Sequence, residues 1–280
     1  MQMFTLGPML PDAPGIPTPV AASALPREEL PFTWMAVPKE LTVDEIKTLV
    51  NSYANTAERI KKAGFEGIEV NAGCKHFFNT FLSKYWNRRT DEYGPDSIEN
   101  RSRIVVEVIK AIKERNGADF PVTVLINGGE PGLKNGLDAK QAAAIAVELE
   151  KAGADAIQVR GEAYNNPEDM SNRDSTHFPD GALYPDTLEQ DTTDIDTSMH
   201  GRGGWMPMVA EVKKAVSVPV IGVGRLDAEL GEKYLEQGII DFMGINRRVI
   251  ADHDYPNKIK EGREEDIVPC TGCLTCFANM

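Results

Sequence analysis

Short apolar runs alternate with longer amphipathic segments along most of this chain. Continuous apolar runs predict buried parallel strands, and a single apolar stripe at helical spacing predicts a helix packed on a core. The predicted strands are 1–6, 65–70, 121–126, 155–159, 218–224 and 241–246. The predicted helices are 41–64, 97–115, 137–153, 206–216 and 226–238.

Three junctions between a helix and the following strand share one local design. They are KKAGFEGIEV (61–70), EKAGADAIQV (150–159) and LEQGIIDFMGI (235–245). In each, we expect the helix to end at a glycine, which adopts the left-handed conformation after a helix at little cost. At the start of the first predicted helix, Thr42 and Glu45 have the spacing of a capping box. Repetition of strand and helix in this way predicts a parallel α/β sheet.

Two architectures fit this repetition, a doubly wound sheet and a (β/α)8 TIM barrel. No G-x-G-x-x-G follows the first predicted strand, which disfavours a dinucleotide-binding sheet, and the chemically interesting residues follow strand ends, which favours a barrel. Only six strand-helix units are predicted where a closed barrel needs eight, so we expect a barrel that is incomplete at the N-terminus. We assign 1–262 to this barrel and 263–280 to a cysteine-rich segment. The long connection 161–205 is either a substrate-side lid or a solvated insertion.

Composition narrows the class of protein. Of the 280 residues, 41% are hydrophobic and 26% are charged, which suits a globular domain. No run approaches the ~20 uncharged residues of a membrane span, so the sequence predicts no integral membrane protein. The formal charge of −13 disfavours nucleic acid and anionic lipid as partners, so an anionic ligand would need a local basic site. No secretory signal is visible, and the cysteines are too clustered for a disulfide framework, so we expect a cytoplasmic protein.

Residues 79–103 are more specific than a generic loop. The segment contains RRTDEYG (88–94) and then SIENR (97–101), which begins a helix. Such an Arg–Asp–Tyr cluster either serves a site or pins the connection between a strand and a helix.

The segment RTDEYG followed by SIENR resembles RTDEYGGSLENR, the hallmark of the old yellow enzyme family of flavin oxidoreductases. VPVIGVGRLD (218–227) and PCTGC (269–273) also match, and the iron–sulfur branch with 2,4-dienoyl-CoA reductase, 2-enoate reductase and bile-acid-inducible oxidoreductases is the most similar. The resemblance implies an FMN-binding (β/α)8 barrel in an anaerobe. It also implies an ene-reductase that takes electrons from NAD(P)H and reduces the activated C=C bond of a small enoate, enoyl-CoA or enone. A homo-oligomeric state is left open.

Glycines and arginines follow the last two predicted strands. They are Gly222, Gly224, Arg225, Gly244, Arg247 and Arg248. Glycine lets backbone N–H groups approach an anion, and a guanidinium can bind phosphate through two hydrogen bonds. By resemblance, Gly224, Arg225 and Arg247 hold the FMN phosphate, with Gly222 in the same segment. The alternatives are that the glycines only turn the chain and that Arg248 is a surface charge.

Five positions correspond by resemblance to residues near the flavin ring and the substrate. Gln2 matches a glutamine that hydrogen-bonds the flavin pyrimidine edge. In VNAGCKHFFNTF (70–81), Asn71 matches a residue that polarises the substrate, and His76 replaces a proton-donating tyrosine. His76 is either a general acid or a structural histidine. Cys74 matches the second residue of the pair that holds the substrate in relatives, and it is expected to be a packing residue here. Leu125 stands where many relatives carry a cation against the flavin.

Three of the four cysteines lie in the last eleven residues, at C-x2-C-x2-C spacing. Cys270, Cys273 and Cys276 therefore predict a metal site, either an iron–sulfur cluster or zinc. The resemblance favours [4Fe–4S], with a fourth cysteine and FAD- and NAD(P)H-binding domains beyond the end of this chain. We therefore expect a fragment of a longer reading frame. The competing hypotheses are a degenerate barrel without turnover and a structural zinc-binding barrel.

Overall fold

The computed structural model describes residues 1–31, 34–131, 133, 135–161 and 202–271. Its strands are β1 (Gln2–Met3), β2 (Val20–Ala21), β3 (Lys39–Glu40), β4 (Ile68–Asn71), β5 (Val122–Gly129), β6 (Ala156–Gly161), β7 (Val220–Val223) and β8 (Phe242–Gly244). Its helices are α1 (Val43–Lys62), α2 (Asn79–Leu82), α3 (Ile98–Asn116), α4 (Ala139–Lys151), α5 (Met206–Ala215), α6 (Ala228–Glu236), α7 (Arg247–Ala251) and α8 (Tyr255–Lys260). Two short 3-10 turns complete the described elements, at Arg27–Glu29 and Glu264–Asp266.

Six strands form one parallel sheet in the order β1-β4-β5-β6-β7-β8. Every strand therefore lies beside the next main strand along the chain, whereas a doubly wound sheet reverses direction part-way. Within the described residues β1 and β8 remain the two edges, so the sheet is open. Sequential winding with intervening helices is the pattern of an incomplete (β/α)8 barrel, as the sequence predicts. A separate parallel pair, β2 and β3, lies outside this sheet.

The two faces of the sheet differ in chemistry because successive side chains on a strand point to opposite sides. Val70, Val124, Ile157 and Val220 are buried in the main hydrophobic core with the helices. The alternate positions are more polar. In register along that face lie Asn71, Leu125 and Gln158, on β4, β5 and β6 respectively. The sheet thus carries an apolar outer face and an inner face with polar groups available for chemistry.

Local sequence signals explain where helices begin and end. Glycines 64, 153 and 238 all have positive φ, at 91°, 105° and 66°, which confirms the predicted helix-to-strand junctions. At the start of α1, Thr42 accepts a hydrogen bond from the backbone N–H of Glu45, and the Glu45 carboxylate accepts from the N–H of Thr42. This reciprocal pair is the predicted capping box. No helix among the described residues is long and apolar enough to cross a membrane.

The capping box predicts a pH dependence of stability. Hydrogen bonds from Lys39 and from the backbone of Thr42 lower the pKa of Glu45 from 4.5 to about 2. A carboxyl whose pKa falls on folding stabilises the fold above its unfolded pKa, and this contribution is lost as the pH drops from 4.5 towards 2. We expect Glu45→Gln to lower the urea midpoint at about pH 7 but much less at about pH 2. Asp44→Asn in the same turn is the control, and an equal loss at both pH values would contradict the assignment.

The RTDEYG segment forms a structural network. Buried Arg89 donates from Nη1 to the carbonyl oxygens of Ala22 (3.0 Å) and Leu41 (2.6 Å), and from Nε to Asp91 (3.0 Å). The Tyr93 hydroxyl donates to Glu107 at 2.9 Å. These contacts tie the connection between α2 and α3 to the N-terminal segment and to the start of α1. The structure therefore supports the second of the two predicted roles, in which the Arg–Asp–Tyr cluster holds the connection between α2 and α3 in place.

Candidate cofactor and substrate site

A cavity of about 280 Å³ lies at the carboxyl ends of β6, β7 and β8. Its lining residues are Arg160, Arg202, Trp205, Val223, Gly224, Arg225, Leu226, Gly244, Ile245, Asn246, Arg247, Arg248 and Cys270. Five of these residues are arginines, and no Asp or Glu among the described residues belongs to this lining. A chain with a net charge of −13 therefore concentrates positive charge at the end of the sheet where barrels hold their ligands. We call this the arginine cavity.

The backbone at the end of β7 is shaped for close approach. Gly224 has φ 157°, and a Cβ there would lie 2.9 Å from Cδ1 of Trp205. The Gly224 carbonyl oxygen accepts a hydrogen bond from the N–H of Gly203 at 2.8 Å. Arg225 follows in the left-handed region, at φ 54°. A side chain at position 224 would fill the space against Trp205, so glycine is required there and its backbone can border the cavity.

One acidic side chain offsets part of the positive charge. Asp227 pairs with Arg202 and, at 3.2 Å, with Arg248. Arg248 also donates from Nε to the carbonyl oxygen of Leu226 at 2.6 Å. Arg248 is thus anchored in the wall of the cavity and is not merely a surface charge.

Gly222 occupies a different environment from Gly224. A Cβ at position 222 would lie 2.4 Å from Cγ2 of Ile240, and Gly222 is not among the residues that line the arginine cavity. The structure therefore places Gly222 in the packing of the outer face. The predicted phosphate residues that it brings together are Gly224, Arg225 and Arg247, with Gly244 and Arg248 beside them.

The donor set of the cavity fits a phosphate monoester. Guanidinium groups supply several N–H donors in a planar fork, and the backbone of Gly224 also borders the cavity. FMN ends in such a phosphate. The residues present therefore fit the phosphate of FMN, and those that would hold it are Gly224, Arg225 and Arg247.

A second group of polar side chains lies where β4 ends. The Nδ2 group of buried Asn71 is 3.5 Å from Oε1 of Gln2, and Oδ1 of Asn71 accepts from the N–H of Gly73 at 3.1 Å. Gln2 donates from Nε2 to Glu69 at 2.5 Å. Burial raises the pKa of Glu69, and the hydrogen bond from Gln2 opposes that shift. The structure thus brings together Gln2 and Asn71, two of the residues singled out in the sequence.

His76 lies on the side of this turn that faces β1. Its ring centroid is 5.3 Å from that of Phe4, and its backbone N–H donates to the carbonyl oxygen of Gly73. His76 is partly exposed and does not belong to the lining of the arginine cavity. The phosphate-binding candidates and the substrate-side candidates therefore occupy two neighbouring regions of one sheet end.

Arg160 connects these two regions, and sequence reasoning missed it. It lies in β6, lines the arginine cavity, and donates from Nη1 to the sulfur of Cys74 at 2.8 Å. Leu125, where the resemblance implies a cation in many relatives, is buried and apolar. The neighbouring strand β6 carries the guanidinium group of Arg160. The available signal was a charged residue immediately after the apolar run DAIQV.

The cysteine motif lies only partly within the described residues. Cys270 lines the arginine cavity, whereas Cys273 and Cys276 lie outside the part of the chain that the structure describes. Among the described residues, no group of three or more His, Cys, Asp or Glu side chains is placed to hold a metal ion.

Comparison with known proteins shows a family that matches nearly the whole chain. The profile of the NADH:flavin oxidoreductase / NADH oxidase family matches residues 9–266. NADH oxidase of Thermoanaerobacter brockii is 32% identical over 262 residues, which are 93% of this chain and 35% of that protein. Cinnamate reductase of Clostridium sporogenes is 32% identical over 269 residues, 91% of this chain and 36% of that protein. The chain thus spans about a third of the length of these curated relatives.

Solved structures agree with the fold. A 2-naphthoyl-CoA reductase in complex with 2-naphthoyl-CoA superposes with a TM-score of 0.74 at 27% identity, over 92% of this chain and 35% of that one. Morphinone reductase in complex with tetrahydroNAD gives a TM-score of 0.66 at 27% identity, over 94% of this chain and 65% of that one.

Proposed function

The chain belongs to the NADH:flavin oxidoreductase / NADH oxidase family, and from that premise we propose that it is the FMN-binding part of an ene-reductase. The observation that carries the proposal is the arginine cavity, where five guanidinium groups border the glycine turn at the end of β7. The proposed reaction is reduction of an activated C=C bond in a small molecule, with NAD(P)H as electron donor. Bound FMN would supply the hydride-carrying chemistry.

The residues of the sheet end have separate tasks in this proposal. Arg225, Arg247 and the backbone of Gly224 bind the phosphate. Gln2 binds the flavin pyrimidine edge, because its amide retains a second N–H and a second lone pair beyond its contacts with Glu69 and Asn71.

On the substrate side, Asn71 donates a hydrogen bond to the carbonyl that activates the double bond. His76 donates a proton to the product, as a histidine can near neutral pH.

The cysteine segment supports a further part of the proposal. Three thiolates at C-x2-C-x2-C spacing suit a [4Fe–4S] cluster, and Cys270 borders the arginine cavity. We propose that Cys270, Cys273 and Cys276 would hold such a cluster, which would supply electron-transfer chemistry. Iron and sulfide analysis after anaerobic reconstitution tests this assignment, and stoichiometric zinc without sulfide would contradict it.

Replacement of His76 tests the proposed proton donor. We expect His76→Gln to lower kcat for NADH-dependent reduction of cinnamate, used as the probe substrate, by roughly 10²–10⁴-fold while FMN is retained. The matched control is His253→Gln, because His253 is exposed in the connection between α7 and α8. If His76→Gln and His253→Gln turn over alike under anaerobic conditions, His76 is not the acid.

A further inference from the structure

The turn after β4 adopts an unusual backbone conformation. Cys74 and Lys75 are not glycines, yet both lie in the left-handed region, at φ 60° and 56°. The preceding residue, Gly73, is pressed against β5, since a Cβ there would lie 2.4 Å from Cδ2 of Leu125 and 2.9 Å from Oδ1 of Asn127. Residues other than glycine rarely adopt this backbone conformation unless their surroundings impose it. Something in the neighbouring structure must therefore hold the turn.

Asn127 makes the contact that fits this requirement. Its side chain is fully buried on β5, and its Oδ1 accepts a hydrogen bond from the backbone N–H of Cys74 at 2.9 Å. The other end of the same amide, Nδ2, donates to Oδ1 of Asn79 at 3.1 Å and to Oε1 of Glu130 at 3.3 Å. The acceptor end of Asn127 therefore faces the turn, and its donor end faces the interior.

Glu130 determines this orientation of Asn127. It is 2% exposed, and burial raises the pKa of its carboxyl. Besides Asn127, it accepts hydrogen bonds from Asn79 Nδ2 at 2.7 Å, Ser83 Oγ at 2.6 Å and the backbone N–H of Leu137 at 2.9 Å. Both carboxyl oxygens of Glu130 act as acceptors in these contacts, so the amide nitrogen of Asn127 points towards Glu130 and its oxygen points away.

We propose that Asn127, oriented by the buried Glu130, is the positioning residue that holds the Cys74–Lys75 turn and with it the substrate-side groups Asn71 and His76. Asn71 belongs to the same unit because its Oδ1 accepts the N–H of Gly73. His76 belongs to it because its N–H closes the turn onto the Gly73 carbonyl. Asn127 acts through the backbone of the turn, and its consequence for catalysis rests on the proposed function.

Exchanging the two polar groups tests this role. Asn127→Asp removes the donor that faces Glu130 and places two carboxylates together, while Glu130→Gln presents a donor where Asn127 also donates. In the double variant, the new amide at position 130 donates to the new carboxylate at position 127, whose second oxygen still accepts from Cys74. We therefore expect each single variant to loosen the Cys74–Lys75 turn and the double variant to hold it as the wild type does.

The direct measurement is amide hydrogen exchange of the segment 72–78, which needs no flavin. We expect exchange in this segment to be at least about tenfold faster in each single variant and close to wild type in the double variant, with α1 as the internal reference. kcat/KM for cinnamate in the FMN-loaded protein should follow the same order. A purely structural role would accelerate exchange in α1 by the same factor and would not confine it to the turn.

Asn127→Ala covers the case in which the double variant does not fold. It leaves Glu130 its three other donors, and it deletes the acceptor for Cys74 together with the donor to Asn79 and Glu130. Unchanged hydrogen exchange of 72–78 in a folded Asn127→Ala variant overturns the proposal. So does a folded double variant whose exchange in 72–78 stays as fast as in the single variants. If the variants accelerate exchange only in 72–78 but the wild-type protein does not bind FMN, the result contradicts the proposed function and leaves the role of Asn127 supported.

Discussion

Replacement of Arg247 by alanine is expected to weaken FMN binding by about tenfold to a hundredfold. A hydrogen bond to a charged group contributes about 1.5–3 kcal/mol, and a tenfold change in affinity corresponds to about 1.4 kcal/mol. Arg247 lines the arginine cavity at the start of α7, directly after the end of β8. Fluorescence titration of the apoprotein with FMN measures the change.

Two controls separate the phosphate contact from general damage. Arg115→Ala removes an exposed arginine in the last turn of α3, which leads to the opposite end of the sheet, and should leave FMN affinity unchanged. Riboflavin, which lacks the phosphate, should bind wild type and Arg247→Ala with the same affinity. Equal loss of FMN and riboflavin binding in Arg247→Ala would mean that the substitution perturbs the fold and that Arg247 does not bind phosphate.

Replacement of Arg89 by alanine is expected to lower the free energy of unfolding by about 3–5 kcal/mol, the range for breaking a buried charged network by removing one partner. The Arg89 side chain is only 3% exposed. Its removal leaves the carbonyl oxygens of Ala22 and Leu41 without this donor and leaves Asp91 without its ion pair. Urea unfolding followed by circular dichroism gives the value.

The neighbouring residue provides a matched control for that loss. Arg88 is 48% exposed and pairs with Glu29 at 3.3 Å, so Arg88→Ala should cost less than about 1 kcal/mol. Similar losses for the two arginines would show that the RTDEYG segment does not pin the connection between α2 and α3.

The six strands of the main sheet and helices α1, α3, α4, α5 and α6 could be predicted because they depend on local periodicity and on glycine at helix ends. The short elements β2, β3, α2, α7 and α8 were not predicted. β1 is shorter than its predicted range 1–6, at Gln2–Met3, and β5 is longer, predicted as 121–126 and observed as Val122–Gly129. The extension of β5 has a physical reason. Its last residues, Asn127, Gly128 and Gly129, are typical of turns. They remain in the strand because Asn127 and the nearby Glu130 satisfy each other's hydrogen bonds in the interior. No local pattern reveals partners such as Asn79, which lies far away along the chain.

The candidate site could be predicted where its residues directly follow strands. Parallel strands end at one edge of the sheet, so Gly224, Arg225 and Arg247 had to lie near one another. Arg202 follows a long segment without a periodic pattern, so its place in the cavity could not be foreseen. The sequence shows that Arg89 belongs to a specific motif but does not show which groups Arg89 binds. The carbonyl groups that it binds are 48 and 67 positions away in the chain.

The central claim is that the arginine cavity binds the phosphate of FMN, and a comparison of FMN with riboflavin tests it most directly. Both ligands carry the same ring and ribityl chain, so only the phosphate contact differs between them. Parallel titrations of the wild-type apoprotein should show FMN binding at least about tenfold tighter than riboflavin, with the difference shrinking as salt screens the guanidinium groups. Equal affinities for the two ligands would contradict the assignment of the cavity.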